Sequence, residues 1–366
     1  MLNLKYKAYN TKKLRRLDDL RAISSQIWNH SLALQKRYYS LYGGYIHKYT
    51  LQKHISKLRN ENPKWKMLGS QATQEIIDRL DLAYKAFFKK TAKRPPKFKS
   101  WRHYSSFTYK QAGYTLNGNV LTINGIGRFR FHKSRDYKNI KTITVKKDSV
   151  GSYYFILTCD MKPEPYERLR NGSIGMDFGL TTYLTLSDGK QIENPEFFKQ
   201  GLDSIRQKNR EFSRKKRGSS NRRRALKNLS RVHKSVDNKR TDFQWKLAHE
   251  LCKHNELIAI EDLNLGAMKR LWGRKVSDLA YGEFVNKLEQ VAQKYETTVV
   301  KVDRFFPSSK LCLCGYVHKG LTLADRIWTC PSCNAVNERD LIASKNILSE
   351  GVRLCRTKCK TPLGAI

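Results

Sequence analysis

Acidic residues are scarce in this chain. Asp and Glu number 32 against 72 Lys and Arg, so the formal net charge of the 366 residues is 72 − 32 = +40. That excess excludes an ordinary enzyme of small molecules, because so many like charges repel one another unless a polyanion neutralises them. Long apolar runs are missing as well. None approaches the ~20 residues a membrane span needs, so no membrane partner is expected. The opening Met1-Leu2-Asn3-Leu4-Lys5-Tyr6-Lys7 has no apolar stretch of signal-peptide length, and a cytoplasmic protein is expected. Cysteines number only eight, yet four of them fall in close pairs. In an intracellular chain such pairs indicate metal, not disulfide.

What is abundant points to nucleic acid. Aromatics make up 11% of the chain and sit among cations, as in Lys36-Arg37-Tyr38-Tyr39 and Lys97-Phe98-Lys99-Ser100-Trp101-Arg102. Stacking surfaces interleaved with positive charge suit nucleic acids, single strands included. Between Arg206 and Arg240 there are 15 Lys or Arg and two acids, Glu211 and Asp237. A solvated helix face does not need that density. A helix pair tracking phosphates, with Arg222, Arg223 and Arg224 as contacts, accounts for it better.

The hydrophobic periods divide the chain. Residues 4–9 alternate as a short strand. Helical spacing runs from Leu14 through Leu41 to Gly43-Gly44, then through about 50–59 to Asn62-Pro63. A third helix follows Ser70, a candidate N-cap, with Ala72, Ile76, Leu80, Ala83 and Phe87 on one face. Gln71 and Gln74 stand near its start, where an amide can reach the edge of adenine. Strands are expected at 105–111, 120–124, 128–132, 140–147 and 153–160, joined by tight turns. Together with the N-terminal strand they suggest a small β-barrel carrying the helices as an insertion. From Ser173 the pattern is α/β. Strands are expected near 173–177, 182–186, 190–193, 257–261 and 297–303, and helices at about 196–217, 221–254 and 281–295. That order fits a ribonuclease-H-like sheet. Residues 352–366 are basic and read as a disordered tail.

Three carboxylates and four thiolates carry the chemistry. Asp177 ends an apolar strand in Ile174-Gly175-Met176-Asp177-Phe178-Gly179. Glu261 ends another in Leu257-Ile258-Ala259-Ile260-Glu261-Asp262, where Asp262 could be the ligand instead. Asp340 precedes Leu341, Ala343, Ile347 and Leu348, at the start of the last helix. Converging carboxylates hold hard ions such as Mg²⁺, and two-metal phosphodiester hydrolysis needs such a set. Cys312, Cys314, Cys330 and Cys333 can hold one tetrahedral zinc. The first pair is Cys-x-Cys, one residue shorter than an ordinary knuckle. His318 could therefore replace one thiolate, or Cys355 and Cys359 could serve instead.

These motifs together resemble the TnpB (OrfB) family of transposon-encoded RNA-guided nucleases, related to type V CRISPR effectors. The matching pieces are Gly175-Met176-Asp177-Phe178-Gly179, Ile260-Glu261-Asp262-Leu263-Asn264, Ser308-Ser309-Lys310, Cys330-Pro331-Ser332-Cys333 and Glu338-Arg339-Asp340 leading to Asn346-Ile347. The resemblance implies a multidomain α+β chain. A β-barrel (wedge) domain would occupy 1–12 and 95–168, and a helical recognition domain 13–94. A RuvC-like nuclease domain would occupy 169–306 and 336–351, interrupted by a zinc ribbon at 307–335. The resemblance also implies Asp177, Glu261 and Asp340 as catalytic acids binding two Mg²⁺ ions, and one structural Zn²⁺. The implied partners are a guide RNA copied from the transposon end and double-stranded target DNA beside a short flanking motif. A prokaryotic, nucleoid-associated protein fits these partners. The alternatives are a nuclease-inactive RNA-guided DNA-binding repressor and a DNA strand transferase using the same acids.

Overall fold

The computed structural model describes residues 1–161, 165–264, 266, 270, 273, 277–322 and 325–359. It is a mixed α/β chain of two compact units, Met1–Lys162 and Pro163–Ile366. Among the described residues no helix is long and apolar enough to cross a membrane.

The first unit runs β1 (Leu2–Lys7), α1 (Arg15–Tyr42), α2 (Lys48–Glu61), α3 (Pro63–Lys66) and α4 (Ser70–Phe88). It continues with β2 (Ser106–Tyr109), β3 (Tyr114–Asn117), β4 (Val120–Ile123), β5 (Gly127–Arg130), β6 (Ile140–Lys147) and β7 (Tyr153–Cys159). The strands expected to close one small barrel form two antiparallel sheets, β1-β7-β6-β2 and β3-β4-β5. An isolated bridge, Ala8 to Phe131, links the two sheets, and Phe129 of β5 packs on Phe155 of β7. Strand β3 is not among the expected strands, because its alternation spans only four residues and none of them is fully buried. Rings of Tyr6, Phe107, Tyr109, Phe131 and Phe155 fill the core. Leu17, Leu20 and Ile27 of α1 and Ala72, Ile76 and Leu80 of α4 join them. The apolar stripe of α1 does not stay buried to its end, since Tyr38 and Leu41 are exposed. Gly43 closes α1 in the left-handed region, donating to Tyr39 O at 2.8 Å. Asn62 caps α3, accepting from Lys64 N and Trp65 N, with Pro63 in the first helical turn. Ser70 is not the cap of α4 but its first residue. The cap is Gly69 at φ 82°, a conformation that favours glycine.

The second unit runs β8 (Gly172–Phe178), β9 (Thr182–Leu186), β10 (Gln191–Glu193), α5 (Phe197–Ser213), α6 (Ser220–His254) and β11 (Asn255–Glu261). Then come α7 (Tyr281–Tyr295), β12 (Thr298–Val302), β13 (Ile327–Thr329), β14 (Val336–Glu338) and α8 (Arg339–Cys359). Its main sheet has the order β10-β9-β8-β11-β12. Strands β8, β11 and β12 are parallel, and β9 and β10 run antiparallel to their neighbours. Ile258, Ala259 and Ile260 are all fully buried, as expected for a parallel strand covered on both faces. Helix α8 lies close on this sheet because two glycines permit it. A Cβ on Gly175 would sit 2.1 Å from Ser344 O, and one on Gly351 would sit 2.4 Å from Ala259 Cβ. The same helix corrects the expected tail, because residues 352–359 are helical. Val352, Leu354 and Cys355 pack on Leu257, Ala259, Val300 and Val302, so apolar residues among the cations carry the helix onward. The rest of the tail, 360–366, lies outside the described residues.

Candidate functional site

Parallel pairing puts the C-terminal ends of β8 and β11 side by side. Met176 pairs with Ile260, so Asp177 and Glu261 follow one residue on in adjacent strands. Asp340 is the second residue of α8, which packs on β8 through Gly175. All three carboxyl groups are half-buried. Burial pushes the Asp177 carboxyl up to about 7, and the neighbouring charges of Asp340 and Glu261 add to the shift, against a smaller opposing pull from Arg339. Glu261 is also raised, first by burial and then by Asp262. The Asp262 carboxylate is taken up by Arg304, and its backbone N–H donates to Val302 O at 2.9 Å. Glu261, not Asp262, is therefore the acid that acts on Asp177. Tyr281 OH donates to Gly179 O, and its ring lies 4.7 Å from that of Phe178, which fixes the turn after Asp177. A cavity of about 220 Å³ opens beside Glu261, lined by Phe178, Asp262, Tyr281, Asn286 and Lys301 among others.

The three carboxylates share a field without closing to ligand distance. Asp340 is held instead by Arg326 Nη1, 3.1 Å from Oδ2. Among the described residues, one group of His, Cys, Asp or Glu side chains has its ligand atoms within 4.8 Å of one another, and it is the four cysteines. Cys312 Sγ lies 3.6 Å from Cys333 Sγ, and Cys314 Sγ lies 3.6 Å from Cys330 Sγ. Tetrahedral zinc at Zn–S of about 2.3 Å would set the sulfurs about 3.8 Å apart, so the group fits that ion. The short Cys312/Cys314 pair closes through Gly315, at φ 91°, which donates to Cys312 O at 2.9 Å. Cys314 N–H, aided by side chains that include Asn337, brings the Cys312 thiol down to about 6. His318 is not in the group. Its Nδ1 accepts from Gly320 N at 3.2 Å, and its ring stands edge-on to Trp328. Cys355 is elsewhere, packed on the sheet, and the Cys359 side chain lies outside the described residues.

Comparison with known proteins shows what the chain is similar to. Residues 156–271 match the OrfB_IS605 family, described as "Probable transposase", and residues 281–347 match the "Cas12f1-like, TNB domain" family. A "Putative RNA-guided DNA endonuclease" of Streptomyces pristinaespiralis is 32% identical over 294 residues, covering 78% of this chain and 72% of the relative. The chain belongs to the TnpB (OrfB) family. InsQ of Escherichia coli K12, whose name carries the same description, is 24% identical over 347 residues, 89% of this chain and 86% of that protein. In fold, the chain resembles Cas12f1 from a complex with sgRNA and target DNA. The TM-score is 0.60 at 14% identity, over 92% of this chain and 83% of that one.

The remaining expected contact residues of this TnpB-family chain are scattered. Arg222 donates to Phe212 O and Lys215 O and stacks 4.0 Å over the Phe212 ring, so it closes the α5–α6 hairpin. Arg223 and Arg224 are exposed on α6. Gln74 is exposed and Gln71 half-buried in the first turns of α4. The sequence reading missed Arg326, Arg304 and Asn337 as partners of the acids and thiols. No local signal marks them, because each acts across a fold contact.

Proposed function

We propose that this chain is a transposon-encoded RNA-guided DNA endonuclease that cuts double-stranded DNA beside a short flanking motif. The carrying observation is the shared field of Asp177, Glu261 and Asp340 at the carboxyl edge of the parallel strands. The strand order supports a RuvC-like, ribonuclease-H-like domain. An all-oxygen donor set suits a hard cation, and a carboxylate raised by burial and then by its neighbours' charge gains from one. Two Mg²⁺ ions bound there would supply an activated water and charge relief at the leaving oxygen. Asp177 and Glu261 present oxygens from strand ends, while Asp340, at the start of α8, would leave Arg326 to join them. The turn fixed by Tyr281 keeps Asp177 oriented. Cys312, Cys314, Cys330 and Cys333 hold one Zn²⁺, and the segment they fix leads through β14 into Asp340. The wedge, recognition, nuclease and ribbon boundaries given above belong to the same proposal. In it, Gln71 and Gln74 read the flanking motif. Base pairing with a guide RNA supplies sequence choice, while the basic α5–α6 hairpin follows phosphates. Such a protein works in the cytoplasm of a prokaryote, at the nucleoid.

The test is to replace Asp177, Glu261 or Asp340 by Ala and to measure cutting and gel-shift affinity together. Each variant loses cutting and keeps guided binding. Near wild-type cutting by any of them defeats the site assignment. Wild-type binding without cutting favours the repressor reading, and joining of the cut end to new DNA favours strand transfer. Sequencing the RNA that copurifies with the chain identifies the guide.

A further inference from the structure

We propose that Phe98 and Trp101 form a stacking platform for the unpaired bases of a single-stranded nucleic acid. The segment 97–104, between α4 and β2, has neither helix nor strand, yet its backbone is fastened. Trp28 Nε1 donates to Lys97 O at 3.1 Å, and Ser25 Oγ donates to Lys99 O at 2.6 Å. Asn29 grips Lys99 on both sides, donating from Nδ2 to its O at 2.9 Å and accepting its N–H at 2.8 Å. Arg21 donates to Trp101 O at 3.3 Å and to Tyr104 O at 2.8 Å. These four side chains stand at i, i+4, i+7 and i+8 of α1, one helix face given over to holding this strap.

The strap turns Tyr104 inward, 3% exposed, and leaves Phe98 and Trp101 outward, 54% and 49% exposed. Each exposed ring carries a cation. Lys36 Nζ lies 4.8 Å from the centre of the Phe98 ring, and the Arg102 guanidinium lies 5.5 Å from that of Trp101. Single exposed aromatics are ordinary. Two on a fastened strap, three residues apart and each beside a cation, are not. A protein-docking patch is depleted of lysine at its centre, whereas here Lys97, Lys99 and Arg102 interleave the rings. Rings for bases and adjacent cations for phosphates make a single-strand platform. This inference rests on the nucleic-acid part of the proposed function and not on the carboxylates.

The experiment uses the full chain, washed of copurifying nucleic acid in high salt. Fluorescence anisotropy then measures affinity for labelled rU12, dT12 and a duplex of the same length. The Phe98→Ala/Trp101→Ala double variant should melt like wild type and bind one or both single strands at least about tenfold more weakly, as expected for losing two stacking faces. Its duplex affinity and salt slope should be unchanged, because no cation is removed. Phe98→Tyr/Trp101→Phe should restore single-strand binding. The strand whose affinity falls, RNA or DNA, identifies the ligand. Equal losses on single strand and duplex, or no loss on either strand, would overturn the platform and leave the patch to a protein partner. A wild-type chain that binds none of the probes would overturn both this inference and the nucleic-acid reading beneath it.

Discussion

Arg326 Nη1 reaches both oxygens of the Asp340 carboxylate, at 3.1 and 3.4 Å. The arginine comes from the cysteine-bearing segment and the acid from the first turn of α8, so that segment touches the candidate nuclease site directly. Arg326 is largely exposed, and such a pair is worth about 0.2–1 kcal/mol. A divalent ion can displace a contact that weak. Arg326→Gln is therefore expected to tighten Mn²⁺ binding at the carboxylates by about two- to fivefold in calorimetry. Weaker binding would mean that Arg326 positions Asp340 for the ion instead of competing with it.

Asp177 makes the metal-free chain sensitive to pH. Below about pH 4 its carboxyl is protonated in both folded and unfolded chains and makes no difference. Between there and about 7 the folded chain keeps a proton that the unfolded chain has released, so stability falls as pH rises. Above about 7 the penalty is complete, at up to about 4 kcal/mol. Asp177→Asn removes it. Without divalent ions the variant should melt higher than wild type at pH 8 and equally at pH 4. Added Mg²⁺ should erase the advantage by stabilising wild type alone. Identical melting at pH 8 without metal would show that the carboxylates do not strain the fold.

Gly175 is a packing residue for the site. A Cβ there meets backbone at 2.1 Å, so α8 must move and carry Asp340 with it. Gly175→Ala should destabilise the chain by about 1–3 kcal/mol, as overpacking does, and lower cutting further than a remote variant of equal stability. Gly351→Ala, near the other end of the helix, should cost comparable stability with less effect on cutting. Equal losses of cutting in the two variants would separate Asp340 placement from this contact.

Much of the candidate site was legible because its residues close local patterns. Asp177 and Glu261 end apolar runs, which fixes them at strand ends. Cys330 and Cys333 have ordinary ribbon spacing. What was not legible depends on partners distant in sequence. Nothing local distinguishes Arg326 or Arg304 from the other cations, and a basic run cannot show that Arg222 folds back on Phe212. The helical part of the tail was hidden because Val352, Leu354 and Cys355 are spaced among charges and acquire meaning only against β11 and β12. Ser70 failed as a cap because the preceding glycine could take a backbone conformation that serine would resist.

The hairpin separates structure from binding among three adjacent arginines. Arg223→Gln/Arg224→Gln should leave the melting temperature within a degree or two. It should also reduce the slope of log K against log salt by about 0.9 for each phosphate that is no longer neutralised. Arg222→Gln should do the opposite, lowering stability by about 1 kcal/mol because two hydrogen bonds and a cation–π interaction disappear. Melting curves and DNA titrations at several salt concentrations decide the matter. An unchanged slope in the double variant would make this end of α6 a solvated face.

Zinc content tests the ligand set. The structure gathers Cys312, Cys314, Cys330 and Cys333 and leaves His318 bonded to Gly320 N and packed on Trp328. One zinc per chain is expected in wild type. His318→Ala should keep it, because the imidazole is no ligand. Cys330→Ser should lose it, and so should Cys312→Ser, because removing either buried thiolate leaves only three. Loss of zinc then reaches the carboxylates through β13 and β14. Trp328 and Asn337 are buried against Cys312 and Cys330, and the strand continues into Arg339 and Asp340. Cutting by Cys330→Ser should fall at least about tenfold, the scale of effect seen when support around a metal is removed. Guided binding should fall less. Zinc retained in Cys312→Ser but lost in His318→Ala would replace the four-thiolate set with a histidine-containing one. Cutting that survives complete zinc loss would show that Asp340 is positioned by α8 packing alone.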